Sequence, residues 1–404
     1  MELGWIDFSK SERDQVFNIL DLLGEDGLLD ELGIAPIRDG FSELLFPGTS
    51  TIQTRAKYFL IIPYILKTLE LNNETNDPSK LNDDLERMEI KCAKCLLGKH
   101  PGENGIIGRN AILNNGWVQR PPSNIYLAGL RKYGIFNFRY SILKYFNVIC
   151  SRNKDNQTTL KYGNSSDKNE FEHDDFNAGV ENFSYLNIPI YTNKWHEDLE
   201  INLNQEEGEF LKKQIIKNCE DSMLAYILKE DMYDFIYYGN LDELDDNLID
   251  KFPPYIQKNY RDAISFSEFV NVLIIRYNLI VSNYENKDAI AAFEDVKDNL
   301  KDISDINFSD IMAKFKINSD KLRIFLDKSK ELMFEGKMDD LDKLITNREI
   351  FLKGRNRARS YNPGKYGNDK WFGGDKLNYR FYEVKVILGD IFKSQGVTVD
   401  AESK

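Results

Sequence analysis

Three groupings in this chain have the residue types that do chemistry. Cys92-x-x-Cys95 with His100 close behind has metal-ligand character. Asp375 with Glu383-x-Lys385 has the layout of a magnesium-dependent nuclease, in which two carboxylates hold the ion and a lysine steadies the attacking water. The stretch KGRNRARSYNPGK sets Lys353, Arg355, Arg357, Arg359 and Lys365 among small polar residues, a spacing that suits phosphate contact.

The first two groupings are weak. A structural zinc site needs four ligands, and Cys150 and Cys219 stand alone. Cys92 and Cys95 also share a helical stripe with Leu81, Leu85, Met88 and Leu96, which points to core packing. Glu-x-Lys recurs at Glu89–Lys91 and Glu335–Lys337, as composition alone would produce. Leu377 to Phe392 reads as a helix, on which Glu383 and Lys385 face different ways. His100, His173 and His196 fall in no His-x-Lys or Arg-x(4–6)-His spacing, and no Gly-x(4)-Gly-Lys-Ser/Thr loop occurs. The sequence therefore predicts no catalytic centre, no metal and no cofactor.

Charge is the stronger signal. The net charge is -13, yet residues 104 to 154 contain no acid and carry +8. Residues 350 to 368 carry +5 and residues 44 to 69 carry +3, which leaves -29 elsewhere. Such segregation points to an anionic ligand. The expected nucleic-acid contacts are Arg55, Lys57, Arg109, Arg120, Arg131, Lys132 and Arg139, with Lys353, Arg355, Arg357, Arg359 and Lys365. Between residues 104 and 154 the cations alternate with Trp117, Tyr126, Tyr133, Phe136, Phe138, Tyr140, Tyr145 and Phe146. These rings either stack on unpaired bases or build the core.

The elements that must position these residues are mostly helices. The periodicity predicts helices over 36–46, 51–71, 81–97, 105–113 and 123–133, and then 206–229, 255–263, 266–281, 288–300, 308–315, 320–334, 339–352 and 377–392. Strands are expected at Gly4–Phe8 and near Ile135–Tyr140. The fold class is thus mainly α: a small mixed α/β N-terminal region, compatible with a winged-helix-like unit reading a groove with helix 123–133, and a helical C-terminal region. The expected domains are 1–150, a polar linker over 151–185, an acidic helical domain over 186–352, and a basic tail with closing helix over 353–404. In FPGTSTIQTRAKYFLIIPYILKTLE, Thr49, Ser50 and Thr51 fall where a helix starting near Thr51 would leave free amides, with Arg55 one turn in. Either an anion or a simple N-cap satisfies that start. The nonpolar run there is too short to span a bilayer, and MELGWIDFSK lacks the pattern of a signal peptide, so a cytoplasmic protein without membrane contact is expected.

The stretches GWIDFSKSERDQVFNILDLL, DELGIAPIRDGFSELLFPGTSTIQTRAKYFLIIPYIL, GIIGR with RPPSNIYLAGLRKYGIF, and GGDKLNYRFYEVKVILGDI together resemble an uncharacterised bacterial family of unknown function. The resemblance implies membership of gene clusters that restrict foreign DNA, with a helicase or methylase as partner. It brings no catalytic residues. The expectation is a non-catalytic nucleic-acid-binding subunit, DNA being the expected ligand, in a bacterial antiphage assembly. The alternatives are a magnesium-dependent nuclease using Asp375, Glu383 and Lys385, and a protein-interaction scaffold.

Overall fold

A computed structural model describes residues 30–72, 75, 77–163 (backbone alone for 153–163) and 184–398. The protein is mainly helical. Its α-helices are α1 (Ala35–Leu45), α2 (Tyr58–Leu71), α3 (Pro78–Lys99), α4 (Arg109–Leu113), α5 (Pro122–Lys132), α6 (Ile142–Gly163), α7 (Gln205–Asn218) and α8 (Met223–Lys229). They continue with α9 (Asp246–Ile249), α10 (Pro254–Val281), α11 (Lys287–Val296), α12 (Leu300–Ile303), α13 (Phe308–Lys314), α14 (Asp320–Phe334), α15 (Met338–Lys353) and α16 (Phe381–Ser394). Chain contacts divide the protein into two compact units. The first is Met1–Phe41 with Tyr260–Leu377, and the second is Ser42–Asn259 with Asn378–Lys404. Neither is continuous in sequence.

In the first unit, α12, α13 and α15 pack against α14. The core is aromatic: Phe41 meets Phe315 edge-on at 4.9 Å, and Phe269 meets Phe308 at 4.8 Å. Ile275 and Leu279 of α10 and Ala289 of α11 form a further cluster that Trp371 joins. By length and composition α10 is apolar enough to cross a membrane, but 78% of that window is buried inside the protein. That is the signature of a core helix.

In the second unit, α2 packs against α3 and α5, while α7 packs against α8 and α16. Every residue of α2 from Tyr58 to Leu66 is buried. The Phe59 ring sits edge-on to Tyr126 at 4.9 Å and lies 5.0 Å from Tyr133. Gly129 lets α5 approach the chain closely, since a Cβ there would lie 2.3 Å from the Gly48 carbonyl oxygen.

The expected winged-helix-like region is corrected. Among the described residues the only β pairing is an isolated antiparallel bridge between Phe136 and Leu186. A wing needs a hairpin, and one bridge makes none. The helix expected to read a groove, α5, instead buries Pro122, Ser123, Tyr126, Gly129 and Leu130. The strand expected at Gly4–Phe8 lies outside the described residues. The segment expected as linker starts inside α6, which extends to Gly163. Residues 164–183, His173 among them, lie outside the described residues.

The helix expected from Thr51 begins at Tyr58 instead. The reason is where the preceding polar groups go. Thr49 Oγ1 donates back to the Phe46 carbonyl at 2.6 Å, and Gln53 Nε2 donates to the Gly48 carbonyl at 3.2 Å. The amides of Thr54 and Arg55 donate to the Tyr126 hydroxyl at 2.8 and 3.1 Å, and that hydroxyl donates to the Arg55 carbonyl at 2.9 Å. With its backbone groups satisfied by turns and by α5, residues 49–56 need no helix.

Candidate nucleic-acid interface

The cations predicted from sequence occupy three kinds of place. Arg55 and Lys57 are inside the second unit. The Arg55 guanidinium grips Asp390 of α16 through Nε at 2.9 Å and Nη2 at 2.9 Å. It also reaches Glu103 at 2.6 Å and Asn202 at 2.7 Å. Burial works against its charge, and Asp390 and Glu103 more than offset that, so its pKa lies above the ordinary value. Lys57 Nζ sits 2.7 and 2.6 Å from the two carboxylate oxygens of Glu207, which also closes a capping box with Asn204. Asp390 accepts the Ala56 amide at 2.8 Å, just ahead of α2. The anion at that helix mouth is therefore the chain's own Asp390.

A second set braces local structure. Arg109 donates to the Asn104 side chain at 3.1 Å and the Pro101 carbonyl at 2.9 Å. Arg131 donates to the carbonyls of Phe138, at 2.9 Å, and Tyr140, and burial lowers its pKa. Arg120 is half-buried, while Lys132 and Arg139 are exposed. The rings alternating with these cations are mostly core: Tyr126, Tyr133, Phe136 and Tyr145 are fully buried, and Tyr140 is exposed.

The third set lies in the first unit, on the irregular segment after α15, residues 354–374. This segment is fastened to α10 and α15. Asn278 of α10, 1% exposed, donates to the Phe372 carbonyl at 2.8 Å and accepts the Phe372 amide at 2.7 Å. The Gly364 amide donates to the Val281 carbonyl at 2.8 Å. Glu349 of α15 is wholly buried. It accepts from the Ser360 amide at 2.9 Å, the Ser360 hydroxyl at 2.6 Å and the Tyr277 hydroxyl at 2.8 Å. A buried carboxylate so fully bonded fixes geometry.

Two of the five cations on this stretch serve as anchors. Arg359 donates to Glu31 at 2.6 Å and lies over the Phe372 ring at 4.7 Å. Lys353 pairs with Glu31 and with Glu349, the latter at 3.3 Å. Burial, with Arg359 and Arg357 nearby, pushes the Lys353 ammonium down to about 8, while Asp30 draws it the other way. The remaining three are outside. Arg355, Arg357 and Lys365 are exposed, and none has a carboxylate within ion-pair distance among the described residues. Arg355 lies over the half-exposed Tyr361 ring at 5.7 Å, and Arg357 Nε donates to the Lys353 carbonyl at 3.0 Å. The stretch thus presents three free cations on a braced loop.

The residues that brace it were not legible as a set. Glu31 and Asn278 lie far away in sequence and carry no motif. Tyr361 was within the basic stretch itself, and its exposure is what the structure adds.

The other groupings take ordinary places. Burial pushes the Cys92 thiol up to about 12, and His100 bonds Glu200 at 2.6 Å. Among the described residues no three His, Cys, Asp or Glu side chains gather to hold a metal ion. Lys385 donates to the Tyr238 carbonyl at 2.6 Å, and Asp375 is exposed in the first unit.

Comparison with known proteins adds one finding. No curated protein and no solved structure matches this chain. A family model described as a family of unknown function, DUF6361, matches residues 1–175, so this part of the chain is similar to an uncharacterised domain.

Proposed function

We propose that the protein binds nucleic acid, without cleaving it, through the braced loop after α15. The observation that carries the reading is the split among the five cations of that loop. Lys353 and Arg359 are consumed by Glu31 and Glu349, while Arg355, Arg357 and Lys365 stand exposed and uncompensated. A surface in a chain of net charge -13 that keeps three cations free on a fixed backbone is suited to phosphates. A place in a bacterial defence assembly, with a helicase or methylase as neighbour, rests on the family resemblance alone and is part of the proposal. Arg55 and Lys57 are left out of the interface because their charges are already paired inside.

The test is the triple replacement Arg355→Ala, Arg357→Ala, Lys365→Ala in the full chain. Oligonucleotide binding is measured by anisotropy across a salt series. The expected result is weaker binding and a log–log salt slope smaller by about 2 to 3, one increment for each phosphate no longer neutralised. Unchanged affinity and slope would remove the loop from the interface.

A further inference from the structure

We infer that this loop takes single-stranded rather than duplex nucleic acid, an inference that rests on the interface proposed above. Tyr361 is 49% exposed, and its hydroxyl has no hydrogen bond among the described residues. Its ring is covered on one side by the Arg355 guanidinium at 5.7 Å. Phe351, in the last turn of α15, is 55% exposed beneath Lys321 at 4.3 Å. The fold gains little from leaving these rings in water, because exposed aromatic surface forgoes its burial energy. A ring beside a free cation, as Tyr361 is beside Arg355, matches a strand whose phosphates and base faces are both available.

A duplex hides its base faces, and reading it takes a helix or ribbon in a groove. Residues 354–374 form neither helix nor strand, so they offer no groove reader. The loop instead supplies cations for backbone and a flat ring for a base. Arg355 stacked on Tyr361 is placed to pair with a phosphate while the other face of the ring receives the adjoining base.

The experiment compares oligo(dT) with a duplex of the same length on the full-length protein, using Tyr361→Leu and Tyr361→Trp. Wild type should bind oligo(dT) more tightly than duplex. Tyr361→Leu should lose roughly 5- to 160-fold for oligo(dT), the range for one stacked base, and leave duplex binding within about twofold. Tyr361→Trp should restore oligo(dT) binding, and its added tryptophan emission should fall when the strand binds. Equal affinity of wild type for both forms, or equal loss for both in Tyr361→Leu, would overturn the inference. If the triple cation variant still loses binding in that case, the interface stands and only the strand preference falls. If wild type binds neither form, both fall.

Discussion

Arg55→Met separates a structural cation from a ligand-binding one. Side-chain exposure is 10% for Arg55 and 5% for Asp390, so both charges are largely out of water. Removing the guanidinium leaves the Asp390 carboxylate with the Ala56 amide as its remaining bond. Glu103 keeps the Gly105 amide at 2.7 Å and is 28% exposed, so it rehydrates at little cost. The penalty therefore falls on Asp390, and a buried ion pair broken from one side costs about 3–5 kcal/mol. The double variant Arg55→Met, Asp390→Asn removes both charges and keeps an acceptor for Ala56. It should cost about 2 kcal/mol or less, because no buried charge is left alone. The assay is native-state hydrogen exchange of the α2 amides by mass spectrometry, with urea unfolding alongside, since a chain of two units need not unfold in one step. If Arg55→Met is within about 0.5 kcal/mol of wild type while oligonucleotide binding collapses, Arg55 faces a ligand and is not a structural cation.

Two further outcomes test the second unit. Glu89 is buried in α3, accepts the Ser123 amide at 2.6 Å, and is pushed by burial from 4.5 up to about 7. Because the folded state holds this proton more tightly, the stability Glu89 contributes is present below pH 4.5 and is lost as pH rises through about 7. Glu89→Gln should flatten that window and raise stability at pH 8 by about 3 kcal/mol in urea titrations; parallel curves would contradict the assignment. Gly129→Ala places a Cβ 2.3 Å from the Gly48 carbonyl oxygen and 2.7 Å from the Phe59 ring. It should cost about 1–3 kcal/mol by the same titration, and an unchanged midpoint would mean that α5 does not approach that closely.

What the sequence determined by itself is what local chemistry determines. The helix expected over 320–334 is α14, and that expected over 339–352 is α15 within one residue at each end. Periodic apolar positions and end signals within a few residues decide such elements, so one chain suffices to read them. Local chemistry also predicts a helix start near Thr51, because the hydroxyls of Thr49, Ser50 and Thr51 resemble a cap. That expectation fails because Tyr126 and Asp390, distant in sequence, take the backbone amides that the helix would have used. The basic stretches were legible as counts of charge, but a count does not say which charges are free. Arg55 and Asp390 are 335 positions apart, Lys57 and Glu207 are 150 apart, and Arg359 and Glu31 are 328 apart. A cation is neutralised by whatever carboxylate the fold brings within a few ångströms, and Coulomb's law takes no account of sequence separation. Only the tertiary structure could turn Arg55 and Lys57 inward and leave Arg355, Arg357 and Lys365 facing water.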